Sequence, residues 1–210
     1  MNLKYYYWVF DKIIPDRICE EIKRLGITLE SGLALTGGME HGNLDIDKIK
    51  ELKKKRDSHI VWLDERWIYE LIQPCVNIAN KNAGWNFIWD YSEHPQFTKY
   101  GKGQYYGWHA DGSPQPYNRP GHPTHNKIRK LSTVLSLCNK SEYTGGELEI
   151  YPRQTDPDKK IPKNDIIQVK EMGHKGSVVV FPSFVWHRIK PVTKGLRYSV
   201  PNWHLGSPWQ

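Results

Sequence analysis

Tyr100-Gly-Lys-Gly-Gln-Tyr-Tyr-Gly-Trp-His-Ala-Asp-Gly112 is a run rich in glycine and aromatics that ends by setting a histidine two residues before a carboxylate. Read as an extended strand, it puts His109 and Asp111 on one face, because side chains two apart on a strand point the same way. An imidazole and a carboxylate then converge on one point, as two ligands of a metal do. His-x-Asp alone is a frequent chance pattern, and a surface or turn-forming Asp accounts for it equally well.

A second stretch changes the balance: Phe181-Pro-Ser-Phe-Val-Trp-His187-Arg-Ile-Lys-Pro-Val-Thr-Lys-Gly-Leu-Arg197-Tyr-Ser199. It offers another histidine, a short turn at Lys194-Gly195, and an arginine ten residues after the histidine. Paired as two strands, it returns Arg197 to the depth of His187, where a guanidinium can hold a carboxylate in bidentate fashion. His109, Asp111 and His187 would then form the facial set of two histidines and one carboxylate that suits non-haem Fe(II) and leaves coordination positions open. The bland reading of His187 is a core histidine hydrogen-bonded in place; Arg197 at this offset favours the ligand.

Together the two stretches resemble the Fe(II)/2-oxoglutarate-dependent dioxygenases, and within them the compact bacterial and viral enzymes similar to prolyl 4-hydroxylases. The resemblance runs from about Gln96 to Trp203. It implies a double-stranded β-helix, or jelly roll, with Fe(II), the cosubstrate 2-oxoglutarate and O2, and ascorbate as an accompanying reductant. It also implies that Arg197 binds the cosubstrate's far carboxylate and that Tyr100 offers it a phenol. Ser199, on the same strand face as Arg197, can add a hydroxyl. The implied activity is hydroxylation coupled to oxidative decarboxylation of 2-oxoglutarate. Tyr106 and Trp108 flank the motif with aromatic faces able to stack on a proline ring, so a peptide or protein is the expected substrate. A free amino acid or small metabolite is the alternative, and a non-catalytic jelly-roll binding module is the rival from outside the enzymes. Nucleic-acid demethylases of this superfamily typically carry a second arginine six residues after the first. Trp203 stands there instead, which argues against a nucleic-acid substrate.

The composition fits that frame. A chain of 210 residues suits one domain (1–210), with helical support over about 1–84 and a β core over about 85–205. No run approaches the roughly 20 apolar residues that cross a membrane. The first ten residues lack a signal core and cleavage site, and three well-separated cysteines (Cys19, Cys75, Cys138) suggest reduced thiols, so a cytoplasmic protein is expected. The formal charge is +7, much of it from Lys48, Lys50, Lys53, Lys54, Lys55 and Arg56, which read best as a solvated helix face.

Along the chain, Tyr5 to Ile14 reads as a strand, followed by a helix with Pro15 in its first turn, an Ile18/Ile22/Leu25 stripe and Gly26 just past its end. Residues 30 to 43 read as a glycine-rich loop, and Asp45 to Lys55 as a short charged helix. Ser58 to Leu63 reads as a strand, and Asp64 as the cap of a longer helix that Pro74 should kink or restart. Trp85–Asp90, Gln96–Tyr100, Leu131–Leu137, Glu147–Tyr151, Asp165–Glu171, Val178–Phe181, Val185–Lys190 and Leu196–Trp203 read as strands. Trp62 and Trp186 are expected in the core. Ser113 to Asn126, with four prolines, reads as an irregular loop placed to cover the site. Its His122 and His125 have metal-pair spacing but read as surface residues.

Overall fold

In a strand buried on both faces, every side chain must find an apolar neighbour, so the hydrophobic run becomes continuous rather than alternating. Val178–Pro182, Val-Val-Val-Phe-Pro and buried throughout, is such a strand, and it pairs along the longer Ile128–Ser136 near the middle of the larger sheet. The computed structural model describes residues 3–29, 32–33, 46–153 and 162–209. The glycine-rich loop expected at 30–43 falls almost wholly outside them.

In chain order, β1 (Trp8–Phe10) leads into α1 (Asp16–Thr28). Next come β2 (Gly32–Leu33), α2 (Ile46–Lys55), β3 (Arg56–Asp57), β4 (His59–Trp62) and α3 (Arg66–Asn82). The strands β5 (Tyr91–Ser92), β6 (Gln96–Tyr100), β7 (Tyr105–His109), β8 (Ile128–Ser136), β9 (Tyr143–Gly145) and β10 (Leu148–Tyr151) follow. The last five are β11 (Ile167–Gln168), β12 (Val178–Pro182), β13 (Trp186–Ile189), β14 (Val192–Gly195) and β15 (Arg197–Gly206). The larger sheet runs β1-β12-β8-β15-β6-β4-β2, with β5 on β15; the smaller runs β11-β10-β13-β7-β3; β14 and β9 form a separate pair. Every described pairing is antiparallel. Mostly β, with α1 and α3 on the larger sheet and α2 beside β3 and β7 of the smaller, this is the jelly roll that the sequence implied.

Two apolar layers hold it together. Leu131 and Leu135 of β8, Val178 and Val180 of β12 and Val200 of β15 face α1 and α3, where they meet Ile22, Ile68, Ile72 and Val76. Val134, Val179 and Phe181 turn the other way and meet Leu148 and Ile150 of the smaller sheet. The site lies in this second layer, between the sheets.

Several local expectations were wrong for identifiable reasons. Only Trp8–Phe10 of the first expected strand is extended in a ladder, and only Ile167–Gln168 of Asp165–Glu171. Trp85–Asp90 forms no strand, because the Asn80 amide takes both the N–H (2.9 Å) and the C=O (2.8 Å) of Phe87 that a ladder would use. Gly26 sits inside α1, where the Phe97 ring lies against its Cα; a Cβ there would fall 2.3 Å from the ring. Helix α3 runs unbroken through Pro74. Asp64 does not cap α3; it pairs with His94 (3.2 Å), and Glu65 holds the cap position. Trp62 is 45% exposed rather than core, and Trp186 is half-buried.

Candidate metal centre

The two histidines arrive from neighbouring strands. β13 pairs with β7 so that His187 stands directly opposite His109, and Asp111 follows two residues beyond β7's last ladder position. The ligand atoms of His109, Asp111 and His187 all lie within 4.8 Å of one another. Each imidazole presents Nε2 to the carboxylate at 3.5 Å, His109 to Oδ1 and His187 to Oδ2. Among the described residues this is the one group of His, Cys, Asp and Glu close enough to share an ion.

The backbone fixes which nitrogen is free. His109 Nδ1 donates to the carbonyl of Gly107 at 2.8 Å and His187 Nδ1 to that of Val185 at 3.0 Å. A carbonyl only accepts, so Nδ1 carries the proton and the Nε2 lone pair is left for a ligand bond. Burial, reinforced by His109, pushes His187 down to about 4, which keeps the ring neutral near pH 7. For Asp111, burial pushes upward, but His187, His109 and Arg129 outweigh it and hold the carboxyl well below its usual range. Two Nε2 lone pairs beside a carboxylate that resists protonation are the donor set a ferrous ion takes.

Opposite, on the larger sheet, Arg197 stands across from Tyr100 in the β15–β6 ladder, with its guanidinium 5.5 Å from the phenol ring. It is 2% exposed; Nη1 donates to Ser199 Oγ at 3.0 Å, while Nη2 is buried with no partner. A buried guanidinium nitrogen left empty costs stability unless a ligand fills it. All these residues, with Tyr106, Val134, Leu148, Ile189, Pro201 and Trp203, line one pocket. The ligand cluster and the open arginine therefore fit iron and a dicarboxylate side by side. His187 and Arg197 do not form a hairpin, contrary to the sequence reading: β13 belongs to the smaller sheet and β15 to the larger, so they face each other across the sandwich.

The two flanking aromatics part company. The β7/β13 register slips between His187 and Ile189, so that Ile189 pairs with Tyr106 rather than with Gly107. That bulge brings Tyr106 onto the pocket face, its ring stacked on His109 at 3.4 Å. Trp108 instead packs against Arg188 (4.6 Å) and Tyr151 (6.2 Å), away from the pocket. In the loop after Asp111, His122 bonds Thr124 (2.7 Å) and His125 Nδ1 accepts from the Arg119 N–H (3.2 Å); neither approaches the cluster.

Sequence reasoning missed two features. Arg56, taken as the end of a solvated basic run, is 6% exposed and lines the pocket, bonded to Ser58 Oγ (2.9 Å) and Gln96 Oε1 (2.7 Å). Carrying the Ser58 strand's alternation back by one step would have found it. Arg129 forms a bidentate pair with Glu93 (2.9 and 2.5 Å) and covers the face of Trp203 at 4.0 Å; nothing local in the sequence announces that pair.

A jelly roll with two histidines and a carboxylate on one sheet, facing a buried open arginine on the other, defines the non-haem iron oxygenases that use a dicarboxylate cosubstrate. The family described as the 2OG-Fe(II) oxygenase superfamily matches residues 95–205, and the chain belongs to it. That family works with Fe(II), 2-oxoglutarate and O2. Among relatives, a PKHD-type hydroxylase of Janthinobacterium sp. (strain Marseille) is 35% identical over 104 residues, covering 49% of this chain and 39% of the relative. One of Xylella fastidiosa (strain 9a5c) is 32% identical over 110 residues, 52% and 43% of the two chains. The chain thus spans less than half the length of these relatives. A viral collagen prolyl hydroxylase of Paramecium Bursaria Chlorella virus-1, solved with 2-oxoglutarate, shares the fold with TM-score 0.64 at 19% identity over 97% of both chains. A Pseudomonas putida prolyl-4-hydroxylase does so with TM-score 0.60 at 17% identity, over 96% of this chain and 92% of that one.

Proposed function

We propose that this protein is an Fe(II)/2-oxoglutarate-dependent hydroxylase acting on prolyl residues of a peptide or protein. The observation that carries the reading is the empty, buried Nη2 of Arg197 in the same pocket as the His109/Asp111/His187 cluster. His109 and His187 would hold the metal through Nε2 and Asp111 through a carboxylate oxygen. Arg197 and Ser199 would grip the far carboxylate of the cosubstrate, with the Tyr100 phenol beside them. Iron with 2-oxoglutarate and O2 supplies the oxidising power for C–H hydroxylation. The chain's own part is positioning and the exclusion of water, for which Val134, Leu148 and Ile189 provide an apolar lining.

The prolyl preference leans on relatives named as prolyl hydroxylases, one of them solved with a hypoxia inducible factor peptide. Three buried free cysteines, with thiols that burial pushes upward, suit a reducing cytoplasm. The test is incubation of proline-containing peptides with the protein, Fe(II), 2-oxoglutarate and air. A product heavier by one oxygen atom, formed in step with succinate and lost in Asp111→Ala, is expected. Iron and cosubstrate binding without succinate would instead make the protein a binding module.

A further inference from the structure

We propose that Arg56 is a second anion-recognition point in the pocket, and that the substrate brought to the metal carries a carboxylate held by it. The inference rests on the hydroxylase reading above and adds to it the substrate's charge.

Arg56 is buried and lines the pocket. Its fixed partners are all neutral: Ser58 Oγ, Gln96 Oε1 and the face of Tyr106, 4.7 Å from the guanidinium carbon. No carboxylate among the described residues is within ion-pair distance of it, whereas the less enclosed Arg129 is matched by Glu93. Uncompensated buried charge is unfavourable, and a lasting one implies a counter-charge that comes and goes. Nε and Nη2 are each committed to one bond, so the fork is held rigid with three of its five N–H groups still to give.

The cosubstrate does not satisfy it. Arg56 is anchored at Gln96 and Arg197 lies beside Tyr100, four residues further along the same strand. With one carboxylate of the cosubstrate at the metal and the other at Arg197, neither is left for Arg56. Charge leads to the same place. Arg56 and Arg197 against Asp111 leave the lining with one surplus positive charge. A ferrous ion adds two and a dicarboxylate removes two, so one positive charge is still unmatched with both in place. A carboxylate on the substrate cancels it. It has two sources, a free acid or an acidic side chain in a peptide.

The experiment is calorimetric titration of Mn(II)- and 2-oxoglutarate-loaded protein with two pairs of probes. One pair is L-proline and L-prolinamide; the other is Ala-Pro-Glu-Ala and Ala-Pro-Gln-Ala, both capped. In one pair the acid is expected to bind at least tenfold tighter than its amide, and the pair that shows it identifies the source. In Arg56→Gln that preference falls below threefold while the dissociation constants for Mn(II) and 2-oxoglutarate hold, and Arg56→Lys, charged but without the fork, falls between. Equal binding of acid and amide in both pairs, including no binding by any probe, overturns the proposal. So does an Arg56→Gln effect confined to 2-oxoglutarate. Failure of the wild-type protein to bind 2-oxoglutarate in the loading step refutes the hydroxylase reading instead.

Discussion

Replacing Arg197 with methionine should separate a binding arginine from a structural one, because the two roles move stability in opposite directions. In the ligand-free protein the guanidinium is 2% exposed, bonds Ser199, lies beside the Tyr143 hydroxyl and leaves Nη2 without a partner. Methionine of similar length removes a buried charge and an empty donor, relieving about 1–3 kcal/mol, and gives up one neutral-acceptor bond of about 1 kcal/mol or more. The net expectation is a ligand-free protein as stable as wild type or stabler by about 1–2 kcal/mol, a rise in Tm of up to about 6 °C for a chain this size. Binding moves the other way. The carboxylate loses two charge-assisted bonds, each worth about 1.5–3 kcal/mol, so 2-oxoglutarate should weaken by at least 100-fold. Arg197→Lys keeps charge without the fork and should lose about one such bond, roughly 10- to 150-fold. Urea melts of the metal-free protein and calorimetric titration with 2-oxoglutarate read both numbers, with Mn(II) affinity as the control. A variant destabilised by more than 2 kcal/mol that still binds 2-oxoglutarate normally would show that Arg197 is there to hold the fold.

Gly26→Ala should cost about 1–3 kcal/mol in urea denaturation because its methyl meets the Phe97 ring, and Phe97→Leu in the same chain should recover part of that loss. His204 is fully buried with Nε2 unpartnered, and burial pushes it down to about 3. A depressed histidine stabilises the fold above its unfolded value near 6.5, and that stability drains away as pH falls toward the folded value. Each such proton gives a slope of up to about 1.4 kcal/mol per pH unit. His187, at about 4, adds a second proton in the same sense. Denaturation midpoints at pH 7, 6 and 5 should therefore drop steeply, and His204→Asn should show about half the slope; an unchanged slope would contradict this. Mn(II) at 100 times its dissociation constant should add about 2.7 kcal/mol, a Tm rise of about 5–10 °C that chelation reverses and Asp111→Ala abolishes.

How much could be read in advance depended on range. His109, His187, Arg197 and Ser199 sit on strands whose two-residue alternation sorts faces, with Asp111 just past the end of one, so the ligand set was legible from spacing, whereas Tyr100 and the cosubstrate roles came from the family resemblance. What spacing could not supply was which strand lies beside which. The ten-residue gap from His187 to Arg197 looked like a hairpin, yet the chain crosses from one sheet to the other within it, through β14. Tyr106 is the local exception: alternation from His109 puts Trp108 on the opposite face, as observed, and would put Tyr106 there too, but the bulge turned Tyr106 inward. Arg56 was hidden by composition, since five lysines earlier in the same segment set the expectation of a wet surface.

The split of the site between two sheets has a consequence for selectivity. Both histidines and the aspartate ride on the smaller sheet, while Arg197, Ser199 and Tyr100 ride on the larger. A dicarboxylate bound at both ends is therefore a strut between two walls whose spacing is set by unrelated apolar packing, with Leu148 and Ile150 pressed on Val179 and Phe181. The length of acid the pocket accepts is gauged by that packing rather than by the arginine. Trimming Phe181 should loosen the choice between a five- and a six-carbon oxoacid without any polar group being touched.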